Sequence, residues 1–120
     1  MSEEQFKKEW GLEVTWASED NYAGKILIFN KQGDSTPFHF HKETKKTWFV
    51  NSGKFMVRWI DTTDGKVYQQ ELTEGKVFTA DCLVPVSLEA LVPGSSVIQA
   101  SNQNDSNDYY TLIPGKNIGV

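Results

Sequence analysis

The chain is expected to fold as an all-β sandwich or barrel, and three observations lead there. Roughly nine or ten short runs with strand character are separated by turn residues about every 8 to 12 positions. No run has the length and 3.6-residue periodicity of a long helix. The 120 residues, 38% of them hydrophobic, suit one compact domain over residues 1–120, its core spanning about 12–115, and leave too little for a second core.

The segments follow in order. Ser2 and the acids Glu3 and Glu4 match the cap of a short helical turn ending at Gly11, with Trp10 as a packing plug for an open sheet end. Leu12, Val14 and Trp16 alternate with polar neighbours through Ser18, the pattern of a half-buried strand. After the turn Glu19-Asp20-Asn21, the stretch Tyr22–Asn30 carries Ile26-Leu27-Ile28-Phe29, apolar on both faces. Lys31–Ser35 is a loop, and Pro37 suits the start of the strand that bears both histidines. Thr47–Val50 is aromatic and β-branched, and Asn51-Ser52-Gly53 turns into a strand over Lys54–Asp61. Asp64-Gly65 makes a hairpin to Lys66–Leu72, and Glu74-Gly75 turns again. Ser87–Val92, Ser95–Ser101 and Tyr109–Ile113 complete the strands, the last two separated by the polar loop Asn102–Asp108, which offers nothing to a core.

Composition narrows the function. Sixteen acids against twelve bases give a net charge of −4, which disfavours nucleic-acid phosphates and anionic lipid as partners. The lone Cys82 has no internal disulfide partner, and MSEEQFKKEW lacks the apolar run of a leader or membrane span, so the expectation is a soluble cytoplasmic protein. Two strands apolar on both faces, Ile26–Phe29 and Phe55–Ile60, need cover that one sandwich does not supply, which predicts a symmetric homodimer.

His39 and His41 stand two residues apart on a strand, so their side chains leave the same face, as a metal or ligand pocket requires. The series Gly33, five residues, His39, one residue, His41, four residues, Lys46, six residues, Gly53 resembles the first motif of the cupin superfamily in every interval. That resemblance implies a double-stranded β-helix, the jelly-roll barrel, in preference to an immunoglobulin-like sandwich. It also implies a metal centre, yet the place of the family's glutamate ligand holds Lys46. In the second motif, the family's Gly, Pro, Gly, His and Asn fall on Gly75, Asp81, Leu83, Val86 and Ala90, so the third histidine is replaced by Val86. The C-terminal segments are similar to those of small cupins related to sugar-phosphate isomerases, with Gln99 and Thr111 standing where relatives carry Glu and Arg.

The resulting expectation is a degenerate cupin that binds a small sugar-like or anionic metabolite, with no metal or a weakly held divalent one. His39, His41, Lys46 and Trp48 are the candidate ligand-binding residues, and His39 and His41 an incomplete metal pair. Glu43 is the one nearby acid in step with them, on a charged loop. Two imidazoles with an ammonium favour a phosphate or carboxylate, provided that Lys46 points inward and does not bend to water. Trp48 shares the face of Lys46 and offers either a platform for a sugar ring or packing, and Trp16 and Trp59 read as packing. Two other readings stand beside this one: a metal-dependent sugar-phosphate isomerase or epimerase with a histidine base, and a dimeric structural module with a vestigial cup.

Overall fold

Alternating strands bounded by glycine turns leave the backbone one economical way to satisfy its hydrogen bonds, which is lateral pairing into sheets. The computed structural model describes residues 4–103 and 107–113. Among these, eleven strands form: β1 (Glu4–Lys8), β2 (Gly11–Ser18), β3 (Ala23–Phe29), β4 (Phe38–Phe40), β5 (Lys46–Ser52), β6 (Lys54–Ile60), β7 (Val67–Thr73), β8 (Val77–Ala80), β9 (Val86–Ala90), β10 (Ser96–Ser101) and β11 (Tyr110–Ile113). They build two antiparallel sheets, ordered β1-β2-β3-β10-β5-β8 and β11-β4-β9-β6-β7, that face each other as a jelly roll. No helix occurs among the described residues.

The inward faces meet in a core of Phe29, Phe55, Leu72, Leu88, Val50, Val57 and Val97, all essentially without solvent contact. Trp10 closes this end, stacking on Phe29 with ring centroids 4.5 Å apart, as expected of a plug. The sharp turn from β5 to β6 needs Gly53: its φ is +80°, and a Cβ there would lie 2.0 Å from Ser95 Oγ.

Several expectations change. The segment expected as a helical turn is instead β1, an edge strand paired to β2 from Glu4↔Thr15 to Lys8↔Gly11, because the open edge of β2 offers it a full ladder. The strand over Leu12–Ser18 exists, but its buried positions are Thr15 and Ala17, while Trp16 is 48% exposed and lies over Gly24. The interior on that side is a cavity with room for polar side chains, and Glu13 and Thr15 line it. Val77–Ala80, after the Glu74-Gly75 turn, pairs with β5 as a strand that the periodicity does not mark. The loop before β11 does contribute a buried residue, Asp108. The expected cap at Ser2, residues 104–106 of the polar loop, and Pro114-Gly115 lie outside the described residues.

Candidate functional site

Strand alternation decides what enters the cavity. On β5 the inward positions are Lys46, Trp48 and Val50; on β10, Val97, Gln99 and Ser101; on β3, Lys25, Leu27 and Phe29. Cross-strand register aligns Lys25 with Gln99 and Gln99 with Trp48, so a polar row borders the apolar core. β4 brings His39, and His41 follows directly after it. Together these residues line a cavity of about 600 Å³, also bounded by Glu13, Thr15, Thr44, Tyr109 and the inward side of β1.

Lys46 turns inward and is 5% exposed. Its Nζ lies 2.6 Å from His39 Nε2 and 3.2 Å from His41 Nε2. The tautomers follow from the other ring nitrogens. His39 Nδ1 sits 2.8 Å from the Pro37 carbonyl, and His41 Nδ1 contacts the Asp108 carbonyl. A carbonyl only accepts, so each Nδ1 carries the proton and each Nε2 offers a lone pair to Lys46. Burial, then the charge of Lys46, holds His39 well below the ordinary imidazole range and lowers His41 as well, against the opposing pull of those carbonyls. Burial, reinforced by Lys25 and opposed by Glu13, brings the Lys46 amine down to about 7. Lys25 is itself paired with Glu13 at 3.1 Å.

Three further residues complete the site. Tyr109 stacks on His39, centroids 4.9 Å apart, and meets His41 edge-on. Asp108 binds the loop after His41: its carboxylate accepts from the Lys42 and Glu43 backbone N–H groups and from Thr44 Oγ1 at 2.7, 3.0 and 2.8 Å. Burial would raise its pKa, but these donors outweigh it and hold the carboxyl at about 2. Gln99 accepts the Trp48 indole N–H at 2.8 Å. Trp48 is thus a cup wall whose ring lies 4.8 Å from the Lys46 Nζ. Glu43 is exposed, and Cys82 is a free thiol outside the cup lining. The sequence motif found the two histidines and Lys46; Tyr109 and Asp108 carried no local signal.

The cupin family model matches residues 21–114. The chain belongs to the cupin family. No curated protein sequence matches it. Among solved structures, the capsular polysaccharide assembling protein CapF of Staphylococcus aureus superposes with a TM-score of 0.81 at 19% identity, covering 92% of this chain and 34% of that one. Oxalate decarboxylase of Bacillus subtilis gives 0.81 at 18% identity, with 92% and 30% covered. KdgF from Halomonas sp. gives 0.73 at 21% identity, with 87% and 89% covered. This cupin spans about a third of the length of the first two, and at these identities the likeness is one of fold.

The degenerate second motif can be placed within this cupin. Val86 on β9 is the direct cross-strand neighbour of His39, so the residue at the third histidine's place does border the site. Leu83, at the motif glycine, keeps a glycine-like φ of +67°. The metal implied by the family does not fit these side chains. Both Nε2 lone pairs that would bind it converge on the Lys46 amine, Val86 has no donor atom, and no three His, Cys, Asp or Glu side chains gather among the described residues.

Proposed function

We propose that this cupin binds a small anionic or sugar-like metabolite in the cup, with Lys46 in the place where the family's metal would sit. The observation that carries this reading is the convergence of two neutral imidazoles on one buried amine at the wall of an open cavity with both polar and apolar lining. When protonated, that amine is a fixed cation held by two acceptors, suited to a carboxylate or phosphate oxygen. The Lys25–Glu13 pair adds both a donor and an acceptor to the wall, and the aromatic faces of Tyr109 and Trp48 suit the apolar side of a sugar ring. CapF, a capsular polysaccharide assembling protein by its name, is a carbohydrate-linked neighbour in fold.

The test is thermal unfolding in the presence of phosphate, glucuronate and glucose 6-phosphate, since a ligand that binds only the folded state raises the midpoint. A rise of several degrees that disappears in Lys46→Met is expected. If none of these ligands shifts the midpoint, or if Lys46→Met keeps the shift, the reading fails. Metal content of protein purified without chelators supplies an independent check: stoichiometric Zn, Mn, Fe or Ni would overturn it.

The reading includes a symmetric homodimer through the outer face of the six-stranded sheet. There Val14, Ile26, Ile98, Phe49 and Val77 form one transverse apolar row in register across five strands. The outer face of β6 instead presents Arg58, paired with Glu89 at 2.6 Å, so it suits water. Light scattering at micromolar concentration should give twice the chain mass, and Ile98→Lys with Phe49→Asp should give a monomer. A monomeric wild type would remove the dimer from the reading.

A further inference from the structure

The cup wall built by β2, β3 and β10 belongs to the six-stranded sheet, whereas β4, which brings the histidines, belongs to the other. We propose that Glu13, Lys25, Thr15 and Gln99 on this wall form a subsite for adjacent hydroxyl groups of a ligand whose anionic end sits at Lys46. The ligand is then a polyhydroxylated acid charged at one end only. This inference rests on the reading of the cup as an anion or sugar site and narrows its ligand class.

Strand register gathers these groups on one surface. Thr15 lies opposite Lys25, Lys25 opposite Gln99 and Gln99 opposite Trp48, a transverse row over β2, β3, β10 and β5. Glu13 leaves the same face of β2 two residues before Thr15. All of them line the cavity, and the row ends on β5, whose inward face also carries Lys46. Two strand spacings, roughly 10 Å, separate β3 from β5. A sugar-sized acid covers that span once the long side chains of Lys25 and Lys46 reach in from either end.

The chemistry of the row selects hydroxyls. Lys25 and Glu13 lie 3.1 Å apart with 18% and 16% of their side chains exposed. Beyond that contact the carboxylate can still accept and the ammonium can still donate, so an acceptor and a donor stand side by side. A hydroxyl does both, and two on neighbouring carbons match such a pair, whereas a second anionic group would meet the Glu13 charge. Gln99 Oε1 accepts the Trp48 indole N–H at 2.8 Å. An indole nitrogen only donates, so this bond orients the amide and leaves its NH2 as a donor for the cavity. Thr15 supplies the independent sign of a missing partner. It is 5% exposed and lines the cavity, and its Oγ1 is the one buried side-chain polar atom without a hydrogen-bond partner among the described residues. An unpaired buried hydroxyl is costly. Rotation between staggered χ1 wells turns it to a ligand hydroxyl without moving the strand.

Calorimetric titration of the full chain with gluconate, hexanoate and glucarate near neutral pH tests this. The first two share chain length and one carboxylate and differ in their hydroxyls, while glucarate adds a second carboxylate. Gluconate should bind about tenfold tighter than hexanoate, and glucarate more weakly than gluconate. Thr15→Val, which keeps the branched shape, and Glu13→Gln should each narrow the gap between gluconate and hexanoate by about threefold or more. Glu13→Gln should also improve glucarate, and hexanoate affinity should stay unchanged in both variants, which checks their folding. If gluconate binds no tighter than hexanoate, absence of binding included, if glucarate matches gluconate, or if both variants keep the wild-type ratio, the proposal is overturned. The wild-type comparison between ligands decides the matter even where a variant fails to fold. If gluconate has no advantage while phosphate still raises the unfolding midpoint through Lys46, the subsite falls and the anion reading stands. If gluconate keeps its advantage through Thr15 and Glu13 yet binds Lys46→Met equally well, the hydroxyl subsite stands and the anion reading falls.

Discussion

Two neighbouring rows on the inner face of the six-stranded sheet divide the molecule's labour. Leu27, Val97 and Val50 lie side by side and are buried in the core, Leu27 at its boundary with the cup. One inward step along the same strands, Lys25, Gln99 and Trp48 form the next row and border the cup. The backbone ladder is continuous through both. Only side chains change: Lys25 and Gln99 lose by leaving water, while Trp48 is as buried as the core and turns its one polar atom to Gln99. The apolar end therefore supplies the stability that allows the polar end to hold a buried amine, the buried His39 and the half-buried His41.

The largest expected effect lies at the apolar end. Phe55→Ala removes a fully buried ring in edge contact with Phe29, centroids 5.0 Å apart, and should destabilise the fold by roughly 3–5 kcal/mol in urea unfolding. A cost near 1 kcal/mol would show that this end is loosely packed and would erase the contrast.

At the cup the sign should reverse. With its amine lowered to about 7, Lys46 binds fewer protons in the folded than in the unfolded chain from about pH 7 up to its ordinary value of 10.5. Stability should rise with pH over that window, and the full penalty should be present below it. Lys46→Met removes the penalty, while the lost hydrogen bonds to the two imidazoles take part of the gain back. A net stabilisation on the order of 1–3 kcal/mol at pH 6, vanishing towards pH 10.5, is expected. Paired urea titrations at pH 6, 8 and 10 check it; a variant equally destabilised at all three would remove the strain assigned to Lys46. His39 and His41, both lowered, add a loss of wild-type stability as pH falls through and below 6.5.

Asp108 should matter less than the core and in the ordinary direction. Asp108→Ala strips three donors of their acceptor and should cost about 1–3 kcal/mol, with lower ligand affinity because the loop after His41 loses its anchor. Its contribution should be intact above pH 3.8 and fade as pH falls towards 2. Acid unfolding of the variant that matches wild type over this range would contradict the role.

Sequence periodicity made most strands legible because each face repeats every second residue. It could not say which face is inside: on β2, Leu12, Val14 and Trp16 looked inward by hydrophobicity, yet the cavity takes Glu13 and Thr15. The His39, His41 and Lys46 cluster was legible because its spacing lies within one short strand–loop–strand segment, β4 to β5. Asp108 was not, since the groups it binds lie 64 to 66 residues earlier and a polar loop gives no periodic signal. β1 and β8 were missed for another reason: short edge strands carry charged or mixed residues, and their identity comes from the neighbour they pair with.

The smallest expected effect comes from a position whose backbone takes a glycine-like shape although the residue is leucine. Leu83 has φ +67°, a left-handed conformation that costs a residue with a Cβ roughly 1–2 kcal/mol and glycine little. Its side chain is 57% exposed, so packing returns little of that cost. The conformation persists because the Leu83 N–H donates to the His41 carbonyl at 2.6 Å, which ties the β8–β9 loop to the mouth of the cup. Leu83→Gly should keep this hydrogen bond and relieve the strain. The greater freedom of glycine in the unfolded chain offsets part of the gain, leaving a net stabilisation of about 0.5–1 kcal/mol. The urea midpoint should rise with an unchanged slope, and ligand binding should not move. Leu83→Ala separates the causes: it keeps the Cβ and hence the strain, so it should show no gain. Equal stabilisation by alanine and glycine would mean that the exposed leucine side chain, not the backbone, is the source of the cost.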